Sequence, residues 1–118
     1  MKIKSLRNKC DRMMQEYMRN KNPQCIICGS PTSCHHHFHP KSSCSALRYD
    51  EDNLIPLCNS CHIGFHSNRS AEMTTKLIGI KGQQWADDLL EKKKTLSVKT
   101  GIKYYQEIIQ NYDRLSRD

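Results

Sequence analysis

The sequence predicts a small α+β domain: a turn-rich central window with two short extended segments, a helix before it and a helical tail after it. Three observations predict this. The stretch from Cys25 to His66 holds two C-x-x-C pairs and all six histidines, and its apolar runs are too short for long helices. Outside that stretch, apolar residues recur at helical spacing on both sides. A length of 118 residues is that of one domain. The expected division is a basic helix over 1–22, a metal-clamped core over 23–69 and a helical extension over 70–118.

Residues 5 to about 20 carry an apolar stripe of Leu6, Cys10, Met13, Met14, Tyr17 and Met18. Ser5 is the expected N-cap and Asn22-Pro23 the stop. Cys10 lies on the stripe and reads as a small buried apolar residue. Gly29 and Pro31 then mark a tight turn after the first C-x-x-C. Residues 35–40 form a short extended segment ended by Pro40, residues 41–52 a polar loop without regular structure, and Asn53 to Leu57 a second short strand. Cys58 leads into a helix expected to include His62 and His66. Ser70 is expected to cap a helix carrying Met73, Leu77 and Ile80, closed by Gly82. The next helix buries Trp85, Ala86, Leu89 and Leu90 and ends in Lys92-Lys93-Lys94, which suits its dipole. Thr100 begins the last, with Ile102, Tyr105, Ile108, Ile109, Tyr112 and Leu115 on one face; that face reads as packing, not as a platform for stacking bases.

Composition narrows the function. Hydrophobic residues make up 36% and aromatics 7%, so the core is modest and an internal staple would help the chain fold. The seven cysteines are an odd number, and four of them sit in C-x-x-C pairs, which fits metal binding better than a disulfide framework. No apolar run near the N-terminus is long enough for a signal peptide, and none elsewhere for a membrane span. The expected location is a reducing bacterial cytoplasm, or that of a phage's host. A net charge of +7 suggests a polyanionic partner. The charge is concentrated at the N-terminal end, where residues 1–21 hold seven Lys/Arg against Asp11 and Glu16. Lys9, Arg12 and Arg19 on that helix are candidate DNA contacts.

Two metal sites are expected in the central window. Cys25, Cys28, Cys58 and Cys61 supply the four soft ligands of a structural zinc, with 29 residues between the pairs. Cys34 and Cys44 have no partner at ligand spacing and read as reduced thiols. His62 and His66 stand four apart, so a helix turns both rings to one side, where they can share a cation. A histidine cluster, His35, His36, His37 and His39, lies upstream inside the same clamp.

The H-H-F-H-P run at His36–Pro40 resembles the first motif of the HNH endonucleases, and N-L-I-P-L-C-N-S-C-H at Asn53–His62 resembles their second. The resemblance implies a ββα-metal (His-Me) finger merged with a zinc knuckle. It makes His36 a ligand of a catalytic divalent metal (Mg2+ or Mn2+, with Zn2+ or Ni2+ as alternatives) and His37 the general base. Asn53 would order the loop that positions His37, and His62 and His66 would complete the metal site. Nearly the whole chain also resembles the phage lambda NinG/Rap recombination endonuclease family. The shared layout is the basic helix, C-x-x-C, the His37-Phe38 step, L-R-Y-D-E-D-N at Leu47–Asn53, the second C-x-x-C and a tail ending Y-Y-Q-E-I-I-Q-N-Y-D-R-L. The chain departs from that family at His62, where Asn is usual.

Arg48, close to these motifs, is a candidate phosphate clamp, whereas His35 and His39 read as surface histidines. The expected activity is therefore metal-dependent DNA endonuclease chemistry, by resemblance on branched or single-strand-containing DNA in phage recombination. A homodimer would suit symmetric cutting; single nicks would not require one. Two rivals are a non-catalytic zinc-finger DNA-binding module and an HNH nicking enzyme of packaging or homing type.

Overall fold

The computed structural model describes residues 2–117. Helix α1 spans Ile3–Lys21, strand β1 Cys34–His37, β2 Leu54–Leu57, and helices α2 Asn59–Phe65, α3 Ser70–Lys81, α4 Gln83–Thr95 and α5 Ile102–Arg117. Two single 3-10 turns, Ser45–Leu47 and Glu51–Asn53, lie between the strands. The fold is thus α+β, with five helices around one two-stranded sheet among the described residues. Among the described residues no helix is long and apolar enough to cross a membrane.

Helix α1 begins at Ile3, earlier than the Ser5 cap predicts; Lys2 holds the N-cap position and makes no side-chain capping bond. The apolar stripe, not a capping side chain, sets its extent. Leu6, Cys10, Met14 and Met18 are buried, and Asn22 leaves the helical conformation as predicted. The stripe packs on α5, where Tyr105 and Tyr112 are the buried residues. The Cys10 thiol, fully enclosed, donates to the Tyr105 carbonyl.

The strands pair antiparallel, with His36 opposite Ile55 and His37 opposite Leu54. The first strand ends sooner than expected. Asn53 belongs to the turn before β2, because its side chain bonds the loops on either side instead of standing in a ladder. The loop over 41–52, expected to be irregular, is held in two tight turns; in the second, the Asp50 carboxylate accepts from the Asp52 N–H. Such local side-chain bonds are what Asp and Ser offer in place of longer elements. The outer edge of β1 meets no third strand. The Gln15 amide covers it instead, its Nε2 donating to the His35 carbonyl at 2.9 Å and its Oε1 accepting from the His35 N–H at 2.8 Å.

Gly29, at φ +79°, turns the chain between Cys28 and Ser30 so that the Cys25 N–H reaches the Ser30 carbonyl at 2.7 Å. Strand β2 then runs straight into α2, whose N-cap is Cys58 with its sulfur accepting from the Cys61 N–H. Helix α2 stops at Phe65, so His66, expected inside the helix, stands at its C-cap one residue beyond it. Arg69, not Ser70, holds the N-cap position of α3. Ile80, Leu90 and Ile102, expected on apolar faces, are exposed, since α3, α4 and α5 each bury only a narrow stripe. One apolar cluster joins Cys25, Ile55, Leu57, Cys58 and Phe65 to Met73 and Leu77 of α3, and another joins Cys44 and Leu47 to Leu89 of α4.

Candidate metal centres and the histidine cleft

The two C-x-x-C pairs meet at the base of the sheet. The sulfurs of Cys25, Cys28, Cys58 and Cys61 all lie within 4.8 Å of one another, with Cys28 and Cys58 3.5 Å apart. Zinc–sulfur bonds of about 2.3 Å in a tetrahedron place sulfurs roughly 3.8 Å apart, so this donor set fits that ion. The Cys28 thiol is brought down to about 6 by the Ser30 hydroxyl, the Ser30 backbone and Cys58, and a readily formed thiolate is the species a metal binds. Both pairs leave turns, Cys25–Cys28 before Gly29 and Cys58–Cys61 at the start of α2. At the second, the Cys61 N–H donates to the Cys58 sulfur.

A second set lies between β1 and α2. His36 projects from β1 toward α2, and the ring nitrogens of His36, His62 and His66 fall within 4.8 Å of one another. The Nε2 atoms of His62 and His66 stand 3.1 Å apart, and the His36 ring centroid is 5.3 and 5.2 Å from theirs. The shorter helix does not part the pair, because one turn still stacks positions 62 and 66. Burial, then the neighbouring histidines, lowers His36 to about 4, and burial followed by His66 lowers His62. Both are thus neutral imidazoles with lone pairs, the form that ligates metal. Three converging nitrogens with an open side suit a cation that must also meet a substrate.

His37, the next residue on β1, points elsewhere. Its Nε2 lies 2.9 Å from the Arg48 carbonyl. A carbonyl only accepts, so Nε2 carries the proton and Nδ1 keeps its lone pair. Burial depresses the His37 pKa, an effect the Arg48 carbonyl partly opposes. Adjacent strand residues face opposite sides, yet His37 is the last residue of β1, and there the strand yields to the Pro40 turn. His36, His37, His62 and His66 consequently line one open cleft of about 410 Å3, together with Gln15 and Lys41. A larger groove of about 890 Å3, lined by Tyr17, Lys21 and Asp113 among others, contains no metal-ligating cluster among the described residues.

Asn53 is fully enclosed and uses its whole amide: Oδ1 accepts from the His39 N–H at 2.8 Å, while Nδ2 donates to the His39 and Leu47 carbonyls at 3.1 Å. It ties the segment after β1 to the segment before β2. Arg48, expected to reach phosphate, is turned inward. Its guanidinium pairs with Asp11 through two hydrogen bonds, because α1 brings a carboxylate against that turn. On α1, Asp11, Gln15 and Arg19 form a row four residues apart that faces the sheet; Arg19 lies 3.5 Å from the Ser33 carbonyl. Arg12 stands on the flank of that row, and Lys9 is turned roughly 120° away from it. Both are exposed.

His35 is not a surface residue, and His39 is half-buried with its Nε2 enclosed. His35 is only 2% exposed and neither ring nitrogen has a partner; burial, then Arg19, lowers it to about 4. Cys44 is buried as an ordinary thiol, whereas the Cys34 sulfur sits 3.4 Å from Nδ1 of His62. The sequence reading passed over Asp11, Gln15, Lys41 and Tyr49. The four-residue spacing of Asp11, Gln15 and Arg19 was visible, but a polar row on an amphipathic helix looks the same when it only faces water.

No solved structure matches the chain. A mitochondrial DNA mismatch repair protein mutS homolog from Sarcophyton glaucum is 41% identical over 49 residues, which is 38% of this chain and 5% of that protein. The chain therefore spans a small fraction of this relative's length. The family of the bacteriophage lambda NinG protein matches residues 2–118. With its cysteine clamp, its histidine cleft and a match over that whole span, the chain belongs to the bacteriophage lambda NinG family.

Proposed function

We propose that this phage recombination-related protein is a metal-dependent DNA endonuclease of the HNH type, with β1, β2 and α2 forming a ββα-metal finger. One observation carries the reading. The free Nδ1 of His37 belongs to a ring that lines the same cleft as the His36, His62 and His66 triangle. A base and a cation seat beside one open space are the two requirements of phosphodiester hydrolysis.

In this reading His37 Nδ1 removes a proton from a water in the cleft. The water oxygen bonds to phosphorus, the bond from phosphorus to the departing sugar oxygen breaks, and that oxygen takes a proton from solvent. A divalent cation held by His36, His62 and His66 supplies, when bound, positive charge against the scissile phosphate and the departing oxygen. Asn53 keeps the turn around His37 in register. Lys41, which lines the cleft, and Arg12 and Arg19 on α1 would meet phosphates of the flanking DNA. Cys25, Cys28, Cys58 and Cys61 would hold, as thiolates, a structural zinc that ties the two C-x-x-C turns together. Such a protein would act in the host cytoplasm on branched or single-strand-containing DNA.

The test is a substrate panel of duplex, flap, displacement loop and four-way junction, each with Mg2+, Mn2+, Zn2+ or Ni2+. The wild type is expected to cut at least one branched substrate, and His37→Ala to lose about 10²–10⁴-fold in rate. Binding without cleavage under every metal would replace this reading with a zinc-finger DNA-binding module.

A further inference from the structure

We infer that the N-terminal helix positions the base: Asp11 of α1 holds the turn at Arg48 whose carbonyl orients the His37 ring. The inference rests on the reading of His37 as general base. The group His37 donates to is a backbone carbonyl, so the ring's orientation depends on where the 47–49 segment lies and not on the chemistry of side chain 48. In that segment Leu47 ends a single 3-10 turn and packs on Leu89 of α4, but Arg48 and Tyr49 follow it in no strand or helix of their own.

Side chains hold it instead. Asn53 binds its first residue through the Leu47 carbonyl. Asp11 binds the next two: Arg48 Nε donates to Oδ1 at 2.9 Å, the other guanidinium arm donates to Oδ2, and the Tyr49 hydroxyl donates to Oδ1 at 2.8 Å. A two-armed guanidinium–carboxylate pair fixes a plane as well as a distance, which a lysine pair would not. The side chains of Arg48 and Asp11 are 15% and 23% exposed, so solvent screens the pair far less than one on the open surface.

The anchor itself is rigid. Asp11 follows Cys10, which is fully enclosed and bonded to the Tyr105 carbonyl of α5. Tyr49 in turn packs into the same α1–α5 clusters. The helix pair outside the sheet is thus a fixed frame, and Asp11 transmits its position to the ring through Arg48, 37 residues away in sequence. Asp11 acts through Arg48 and touches neither substrate nor metal in this reading. It is a positioning residue.

The test uses the zinc-loaded full chain and four forms: wild type, Asp11→Asn, Asp11→Ala, and the charge swap Asp11→Arg with Arg48→Asp. Long-range proton–nitrogen NMR spectra read the tautomer of His37. The wild type is expected to show the ring protonated at Nε2 alone, and Asp11→Ala a mixture of both tautomers. Asp11→Asn keeps the side-chain shape, so it isolates the lost charge should the alanine variant fold poorly. Single-turnover cleavage at saturating DNA should fall about 10²-fold in Asp11→Ala, as a misplaced catalytic group implies. The DNA Kd should change by less than about twofold, the signature of a contact that does not bind substrate. The charge swap should recover both tautomer and rate.

An unchanged His37 tautomer in both Asp11 variants overturns the inference. So does a swap that re-forms the pair without recovering the rate, or a tenfold weaker Kd at an unchanged saturating rate, which would make Arg48 a phosphate clamp. If the wild type cuts no DNA, the nuclease reading fails, while the tautomer spectra still decide whether Asp11 orients His37.

Discussion

Two side chains, Asn53 and Asp11, organise the turn around His37, and they differ in what their loss should cost. Asn53 is enclosed and satisfies three backbone groups. Replacing it with alanine strands an N–H and two carbonyls away from water, each worth about 1–3 kcal/mol. We expect Asn53→Ala to lower the melting temperature by more than about ten degrees. Asn53→Asp should be worse, because it turns an oxygen toward the two carbonyls that now accept. Equal melting temperatures for wild type and Asn53→Asp would show that the amide bonds do not hold the turn.

Asp11 gives a pH-dependent signal. Burial alone would raise its carboxyl, but the Arg48 guanidinium and the Tyr49 hydroxyl outweigh that and hold it below the ordinary carboxylate value. A depressed folded-state pKa stabilises the fold above the unfolded value, near ~3.9, and that contribution disappears as pH falls through the folded value. Wild type should therefore lose more stability than Asp11→Asn between neutral pH and pH about 3. Denaturant melts at several pH values measure the difference; parallel curves would mean the carboxylate gains nothing from Arg48 and Tyr49.

At the scale of elements, the contact of α2 with α3 depends on one small residue. A Cβ added at Gly64 would lie 3.2 Å from Met73 Cγ, the unbranched part of a flexible side chain. Gly64→Ala should be close to neutral, since about 1 kcal/mol of helix propensity offsets a slight shift of Met73. Gly64→Val adds branches that Met73 cannot clear, and should destabilise by about 1–3 kcal/mol. Calorimetry on the pair checks the ordering, and a valine variant as stable as the alanine one would show that α3 is free to move away. Helix α4 is braced differently, by Lys92 to Asp50 and Asp52 and by the Trp85 N–H to the Asp52 carbonyl. The lysine pairs are more exposed and contribute little, about 1 kcal/mol or less, while Trp85 also packs on Phe38.

For the whole molecule, the radius of gyration of 14.7 Å exceeds the roughly 13.5 Å expected of a compact chain this long. The apolar residues form four separate clusters instead of one core. A structural zinc on Cys25, Cys28, Cys58 and Cys61 would compensate, because metal affinity becomes folding free energy when the site does not exist in the unfolded chain. A strong chelator should therefore lower the melting temperature sharply and abolish the fixed aromatic signals of Phe38, Phe65 and Trp85. Cys58→Ser should do the same without chelator, whereas Cys44→Ser should not. Retention of those signals after zinc removal would assign the cysteines no part in holding the fold.

The sequence by itself determined what is local. C-x-x-C spacing, two histidines one helical turn apart and stripes at helical period depend only on backbone geometry within a few residues, so the clustering of the four cysteines, the His62–His66 pair, the strands and the helices α1 to α5 were legible with small errors at their ends. The tertiary structure decided what depends on partners far apart in the chain. Arg48 faces Asp11 and not a phosphate, His35 is enclosed, and Gln15 stands in for a third strand, because α1 returns across the sheet at one angle. That angle is set by the packing of α1 on α5 nearly a hundred residues away, and no local pattern of residues encodes it.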